Sequence, residues 1–205
     1  TTAAGPAARL ASRTPPQRLR LSRQLDVREV NMPVELVKFV QDPYRSTKEW
    51  QTVERLADRL LEELNSDETL RRIAEANRPG TSSAEVQAAF RPAAEGIGFH
   101  SERRGLFLDS IAGLRPDYFL SIEDIGVILE VERGKTTTNN MDLLDFWKCH
   151  ICGVASYLFL LVPQALKHNE NMSPKKEFVT VQRRLAQFFT PGNYTNVRGL
   201  CLFGY

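Results

Sequence analysis

An α/β fold, with a small mixed central sheet flanked by helices and a helical extension on its N-terminal side, is predicted by three features of this 205-residue chain. Helical periodicity dominates from Ser46 to Gly96. Two β-branched and aromatic runs, Tyr118–Ile122 and Val127–Glu132, then flank a polar turn and read as a hairpin. Finally, a helix from Met141 to about Gly153 separates that hairpin from Tyr157–Val162, an unbroken apolar run of strand length ended by Pro163. A hairpin pairs antiparallel, while a helical crossover suits parallel pairing, so the sheet is mixed.

Composition sets the outer bounds. Apolar residues make up 42% of the chain, enough for a packed core. No apolar run approaches a membrane span. The formal charge is only +2, but its distribution is uneven. Arg9, Arg13, Arg18, Arg20, Arg23 and Arg28 crowd the first thirty residues, with no acid before Asp26. Residues 1–31 therefore read as a basic, disordered arm able to track phosphates. Its composition is that of a tail, or of a stretch preceding a start at Met32, more than of a targeting segment. The three cysteines, Cys149, Cys152 and Cys201, are too few for a disulfide scaffold and favour a reducing, intracellular and cytoplasmic setting.

Residues 32–80 read as the helical extension and 81–205 as the core. Pro33–Gln41 is a short apolar piece, helix or strand. Ser46-Thr47-Lys48-Glu49 has the spacing of a capping box and opens a helix whose Trp50, Val53, Ala57, Leu60 and Leu64 form one stripe. Asn65-Ser66-Asp67 breaks it, and a second helix runs to about Asn77 with Leu70, Ile73 and Ala74 inward. Ser82 and Glu85 cap a third helix with Val86, Ala89, Phe90 and Ala93 on one face, Pro92 inside it and Gly96 at its end. A strand is expected at 105–108. The 141–153 helix is apolar on two sides: Leu144, Trp147, Ile151 and Val154 make one stripe, and Leu143, Phe146 and His150 another. A helix from Lys175 to Thr190 places Phe178, Val181 or Gln182, and Leu185 inward, and a last strand runs from Val197 to Phe203.

The chemistry concentrates between Gly113 and Lys135. Side chains repeat every two residues along a strand, so Glu130 and Glu132 share a face. Asp117 stands at the mouth of the first hairpin strand, directly after Pro116. Pairing of the strands lets three carboxylates converge at one end of the sheet. Crowded carboxylates repel, and a hard divalent cation such as Mg²⁺ relieves them. A solvated edge strand with alternating Glu is the plainer reading of the same spacing.

Pro116-Asp117 followed by Glu130-Val131-Glu132 resembles the PD-(D/E)XK signature of the restriction-endonuclease-like nuclease superfamily, over roughly residues 84–162. The chain departs from that signature at Glu132, where the superfamily usually has Lys, although some members carry Glu-x-Glu. The resemblance implies a restriction-endonuclease-like three-layer core and a Mg²⁺- or Mn²⁺-dependent DNA endonuclease of restriction, defence or repair type. Asp117 and Glu130 would ligate the metal, with the Val131 carbonyl as a further ligand. Glu132 would orient the attacking water or join a second metal. Either Lys148 or Lys135 would take the place of the missing lysine, and Glu85 or Glu95 would be the extra acid that a preceding helix often brings. Lys135, Thr136, Asn139 and Asn140, with Arg103 and Arg104, are candidates for DNA-backbone contacts. The competing reading is a catalytically inactive nucleic-acid-binding or assembly protein that retains the fold. The spare stripe of Leu143, Phe146 and His150 points to a homodimer through the 141–153 helix.

Other constellations fall short. Cys149-His150-Ile151-Cys152 is half of a zinc site without its other half. Arg133-Gly134-Lys135-Thr136 lacks the upstream glycine of a phosphate-binding loop, and no nucleophile elbow appears.

Overall fold

A computed structural model describes residues 1, 32–78, 80–101, 114–134, 136–165 and 175–205. Its strands are β1 (Glu35–Val40), β2 (Tyr118–Ile122), β3 (Ile125–Val131), β4 (Tyr157–Val162) and β5 (Gly199–Gly204). Its helices are α1 (Lys48–Leu64), α2 (Asp67–Ala76), α3 (Ser83–Gly96), α4 (Met141–Ile151) and α5 (Glu177–Ala186). The five strands form one mixed sheet in the order β1-β5-β4-β3-β2. The central pairs β3–β4 and β4–β5 are parallel, and the outer pairs β1–β5 and β2–β3 are antiparallel.

Helices cover both faces, giving three layers. Alternation along β3 and β4 sends Val127, Leu129, Val131, Tyr157, Phe159 and Leu161 into a core shared with Trp50, Leu60, Phe90 and Ala93 of α1 and α3. Ile128, Leu158, Leu160 and Val162 face the other way, into a core with Phe146 and Cys149 of α4 and Phe178, Val181 and Leu185 of α5. All six residues of β4 are buried, as expected for a strand covered on both faces.

Several local expectations shift. The piece at 33–41 is strand β1, paired along its whole length with β5. Trp50, Val53 and Leu60 of α1 also belong to the sheet's own core. The segment read as a helical extension is thus built into the sheet, because β5 leaves an edge that β1 fills. The α1 cap is Thr47, whose hydroxyl accepts from the Trp50 N–H, and not Ser46. Glu49 is drawn away to Arg198, at 2.6 Å. The Ser82–Glu85 capping box forms in both directions. In α2, Ile73 is buried and Ala74 exposed. Asn140 occupies the N-cap position of α4 in the left-handed region, at φ 56°, without a side-chain cap bond. The strand expected at 105–108 and the arm at 2–31 lie outside the described residues.

The two apolar stripes of α4 exchange roles. Phe146 is buried against Phe188 and Phe189, with ring centroids 4.3 and 6.1 Å away. Leu144, Trp147 and Val154, expected to pack inward, are exposed, Trp147 by 47%. The face of α4 that meets the sheet carries Asp142, Asp145, Lys148 and Cys149 instead. Where α4 leads into β4, the chain lies directly on β3: a Cβ at Gly126 would stand 1.8 Å from the Val154 carbonyl oxygen. Glycine is required there by close backbone approach.

Candidate active site

β3 ends at Val131, and α4 begins at the same end of the sheet. The hairpin turn Glu123–Asp124 fixes the register Tyr118↔Leu129, so Asp117 arrives beside Glu130 and Val131. Asp117 then exchanges bonds with both. Its N–H donates to Glu130 Oε2 at 3.1 Å, and its Oδ2 accepts from the Val131 N–H at 2.8 Å. Gln87 of α3 reaches from the other layer, donating to Asp117 Oδ1 at 2.7 Å. Glu130 points to the α4 side, where its Oε1 accepts from Lys148 Nζ at 2.8 Å. Lys148 Nζ is also 2.8 Å from Asp145 Oδ1, one turn back on α4. The Glu132 carboxyl lies near that of Asp145, close enough for the two charges to oppose each other. The Glu132 backbone is anchored at both ends: its N–H donates to the Leu161 carbonyl, and its own carbonyl accepts from the Tyr205 hydroxyl at 2.6 Å.

The site residues expected from sequence divide accordingly. Asp117, Glu130, Val131, Glu132 and Lys148 are brought together, Val131 through its N–H. Lys135, Arg103 and Arg104 lie outside the described residues. Asn139 and Asn140 are exposed on the loop leading to α4, but Thr136 is fully buried and cannot meet a DNA backbone. It sits beneath that loop, its carbonyl accepting from the Met141 N–H. The loop is pinned from α5. Arg184 bonds Asn140 Oδ1 and the Thr137 carbonyl and pairs with Asp142 at 3.3 Å. Glu177 accepts from Thr137 and pairs with Lys175 at 3.0 Å. Glu85 is exposed and occupied with its cap, and Glu95 is exposed, so neither supplies the extra acid.

No family model matches the chain. No curated protein matches it either. Among solved structures it is similar to restriction endonuclease BglII complexed with a DNA 16-mer, at 9% identity and a TM-score of 0.46 over 84% of this chain and 78% of that one. A likeness at this level says nothing about activity. Among the described residues, no helix is long and apolar enough to cross a membrane.

Electrostatics mark the cluster independently. Burial, then the Asp145 charge, pushes the Glu132 carboxyl up to about 9. Burial also raises Asp117, Glu130 and Asp145. Burial works against the Lys148 ammonium, but Glu130 and Asp145 overcome it and raise its pKa. Oxygen donors with an excess of negative charge fit a hard divalent cation in chemistry and charge. Among the described residues no three Asp, Glu, His or Cys side chains already stand as a ligating group. Asp117 and Glu130 are instead turned toward donors of the chain itself.

Two residues escaped the sequence reading. Asp145 was hidden inside a helix read for its apolar stripes. The signal for it was the i, i+3 spacing of Asp142, Asp145 and Lys148. Gln87 had no sequence signal, since a neutral side chain stands where an acid was sought.

Proposed function

We propose that this chain is a divalent-cation-dependent nuclease that hydrolyses phosphodiester bonds of DNA, of restriction, defence or repair type. The observation that carries the reading is the joining of Asp117 to Glu130, and of Glu130 to Lys148, at the end of β3. Asp117, Glu130, Glu132 and the Val131 backbone would hold the cation, Mg²⁺ or Mn²⁺. A cation bound there supplies a Lewis acid for a phosphoryl oxygen and lowers the pKa of water. In the hydrolysis, water adds to phosphorus, the bond to the leaving oxygen breaks, and the water's proton must be taken up. Glu132 would orient that water, and it can take up the proton only once its own carboxyl has ionised, since burial raises it to about 9. Lys148 sets a fixed positive charge where the phosphoryl group gains negative charge. Asn139 and Asn140, exposed on the adjoining loop, are suited to backbone phosphates. A second copy, if duplex cleavage requires one, would meet the outward face of α4 at Leu144 and Trp147, because Phe146 is covered by its own chain.

One observation favours a second reading. The full engagement of Asp117 and Glu130 by chain donors, with Glu132 in the place of the strand lysine, also suits a nucleic-acid-binding protein without catalysis. Incubation with plasmid and with DNA and RNA oligonucleotides, with and without Mg²⁺ or Mn²⁺, separates the two. The nuclease reading expects cation-dependent cutting that Asp117→Ala and Glu130→Ala abolish without unfolding. Cutting retained in either variant rejects the site. DNA binding without cutting under any cation supports the second reading.

A further inference from the structure

We infer that Asp145 is a positioning residue, and that α4 supplies the lysine missing from the strand as a two-residue unit in which Asp145 aims Lys148. The inference deepens the nuclease reading and rests on it for its kinetic arm only. A lysine side chain has four flexible bonds and no preferred direction of its own. Lys148 therefore needs more than one partner to hold its ammonium at Glu130. Asp145 provides the second, one helical turn away on the same face, and both ion-pair distances are 2.8 Å. Glu130 Oε1 accepts a hydrogen bond from the ammonium, and Asp145 holds it by charge at ion-pair distance, its carboxylate oxygens taking no hydrogen bond of their own. Among the described residues no further acceptor is bonded to the ammonium, which leaves it donors for a phosphoryl oxygen.

Asp145 is not explained as a general helix-packing charge. The neighbouring buried acid Asp142 has its own cation, Arg184, brought from α5. Among the described residues Asp145 pairs only with Lys148, and it lies near Glu132. Its side chain is fully buried, so solvent does not compete for it. One carboxylate thus faces two residues that come from different elements: Lys148 from α4, which it pairs with, and Glu132 from the end of β3, whose charge it opposes.

Asp145→Asn in the full chain tests the inference through three readouts. Thermal melting reports folding. Acetylation of lysines, followed by mass spectrometry without DNA or cation, reports the protection of Lys148. Steady-state cleavage of a DNA oligonucleotide with Mn²⁺ reports kcat and KM separately. The variant should remain folded and lose Lys148 protection. Its kcat should fall by about 10²-fold with KM nearly unchanged, as a displacement of about 1 Å in a reacting group costs. Asp145→Glu, which keeps the charge, should retain protection and recover part of kcat; it also carries the test if the Asn variant melts early. Lys148 staying protected in Asp145→Asn overturns the inference, as does an unchanged kcat once protection is lost. If the wild type cuts no nucleic acid at all, the nuclease reading falls, and the acetylation result still decides whether Asp145 holds Lys148.

Discussion

Two buried aspartates stand three residues apart on α4, and their surroundings differ in charge balance. Around Asp142, two acids meet two cations: Asp142 with Arg184, and Glu177 with Lys175. Around Asp145, four acids, Asp117, Glu130, Glu132 and Asp145, share one ammonium among the described residues, that of Lys148. The first cluster is self-sufficient, and its bonds tie the 136–140 loop to α5. The second leaves an excess of three negative charges if all its acids ionise, and it must recruit protons or a cation. Equal burial on the same helix therefore goes with opposite charge balance: the neutral cluster ties structure together, and the unbalanced one carries an excess of acid.

The largest effect that separates them is loss of the shared ammonium. Lys148→Met should cost about 3 kcal/mol at neutral pH without divalent cations, because it strands buried carboxylates. Mg²⁺ or Mn²⁺ should restore part of that loss, as read from urea unfolding with and without the cation. A loss indifferent to cations would erase the distinction between the clusters. Arg184→Met should cost less, about 2 kcal/mol, since the guanidinium side chain is 26% exposed and part of its attraction is screened. That loss should not respond to divalent cations.

A third effect is in pH. Glu132 is raised to about 9 in the folded chain from an ordinary 4.5. Between those values the folded state holds a proton that the unfolded state has released, so stability falls as pH rises through the window. Asp117 and Asp145, also raised, act in the same direction. Melting temperatures in chelator should therefore decline from about pH 5 to about pH 9, and Glu132→Gln should flatten the decline. A pH-independent melt in the wild type would place Glu132 in solvent.

The parts of this molecule legible in its sequence are those in which period and chemistry agree. The run Tyr157–Val162 is apolar throughout and became β4 with the expected bounds. The stripe from Trp50 to Leu64 is buried as read. Asp117 and Glu130 meet because a hairpin leaves little choice of register. α4 was misread because its buried side is its charged side. A hydrophobic stripe ordinarily marks the inward face, but here the inward face carries the buried charges Asp142, Asp145 and Lys148, and Leu144 and Trp147 face outward. β1 was ambiguous for a different reason. A short edge strand is fixed by the neighbour it pairs with, and that neighbour, β5, lies more than 150 residues later.

Gly126 gives the arrangement one more property. The α4–β4 connection rests on the backbone at the start of β3, while Lys148 grips Glu130 near the end of the same strand. The strand thus acts as a ruler with two fixed marks, and the segment from Lys148 to Ala155 is measured against it. Each residue added to or taken from a helix turns what lies beyond it by about 100°. The composition of the outward side of α4 does not enter that measure, but the helix's length is locked to that of a strand it never hydrogen-bonds as a sheet partner.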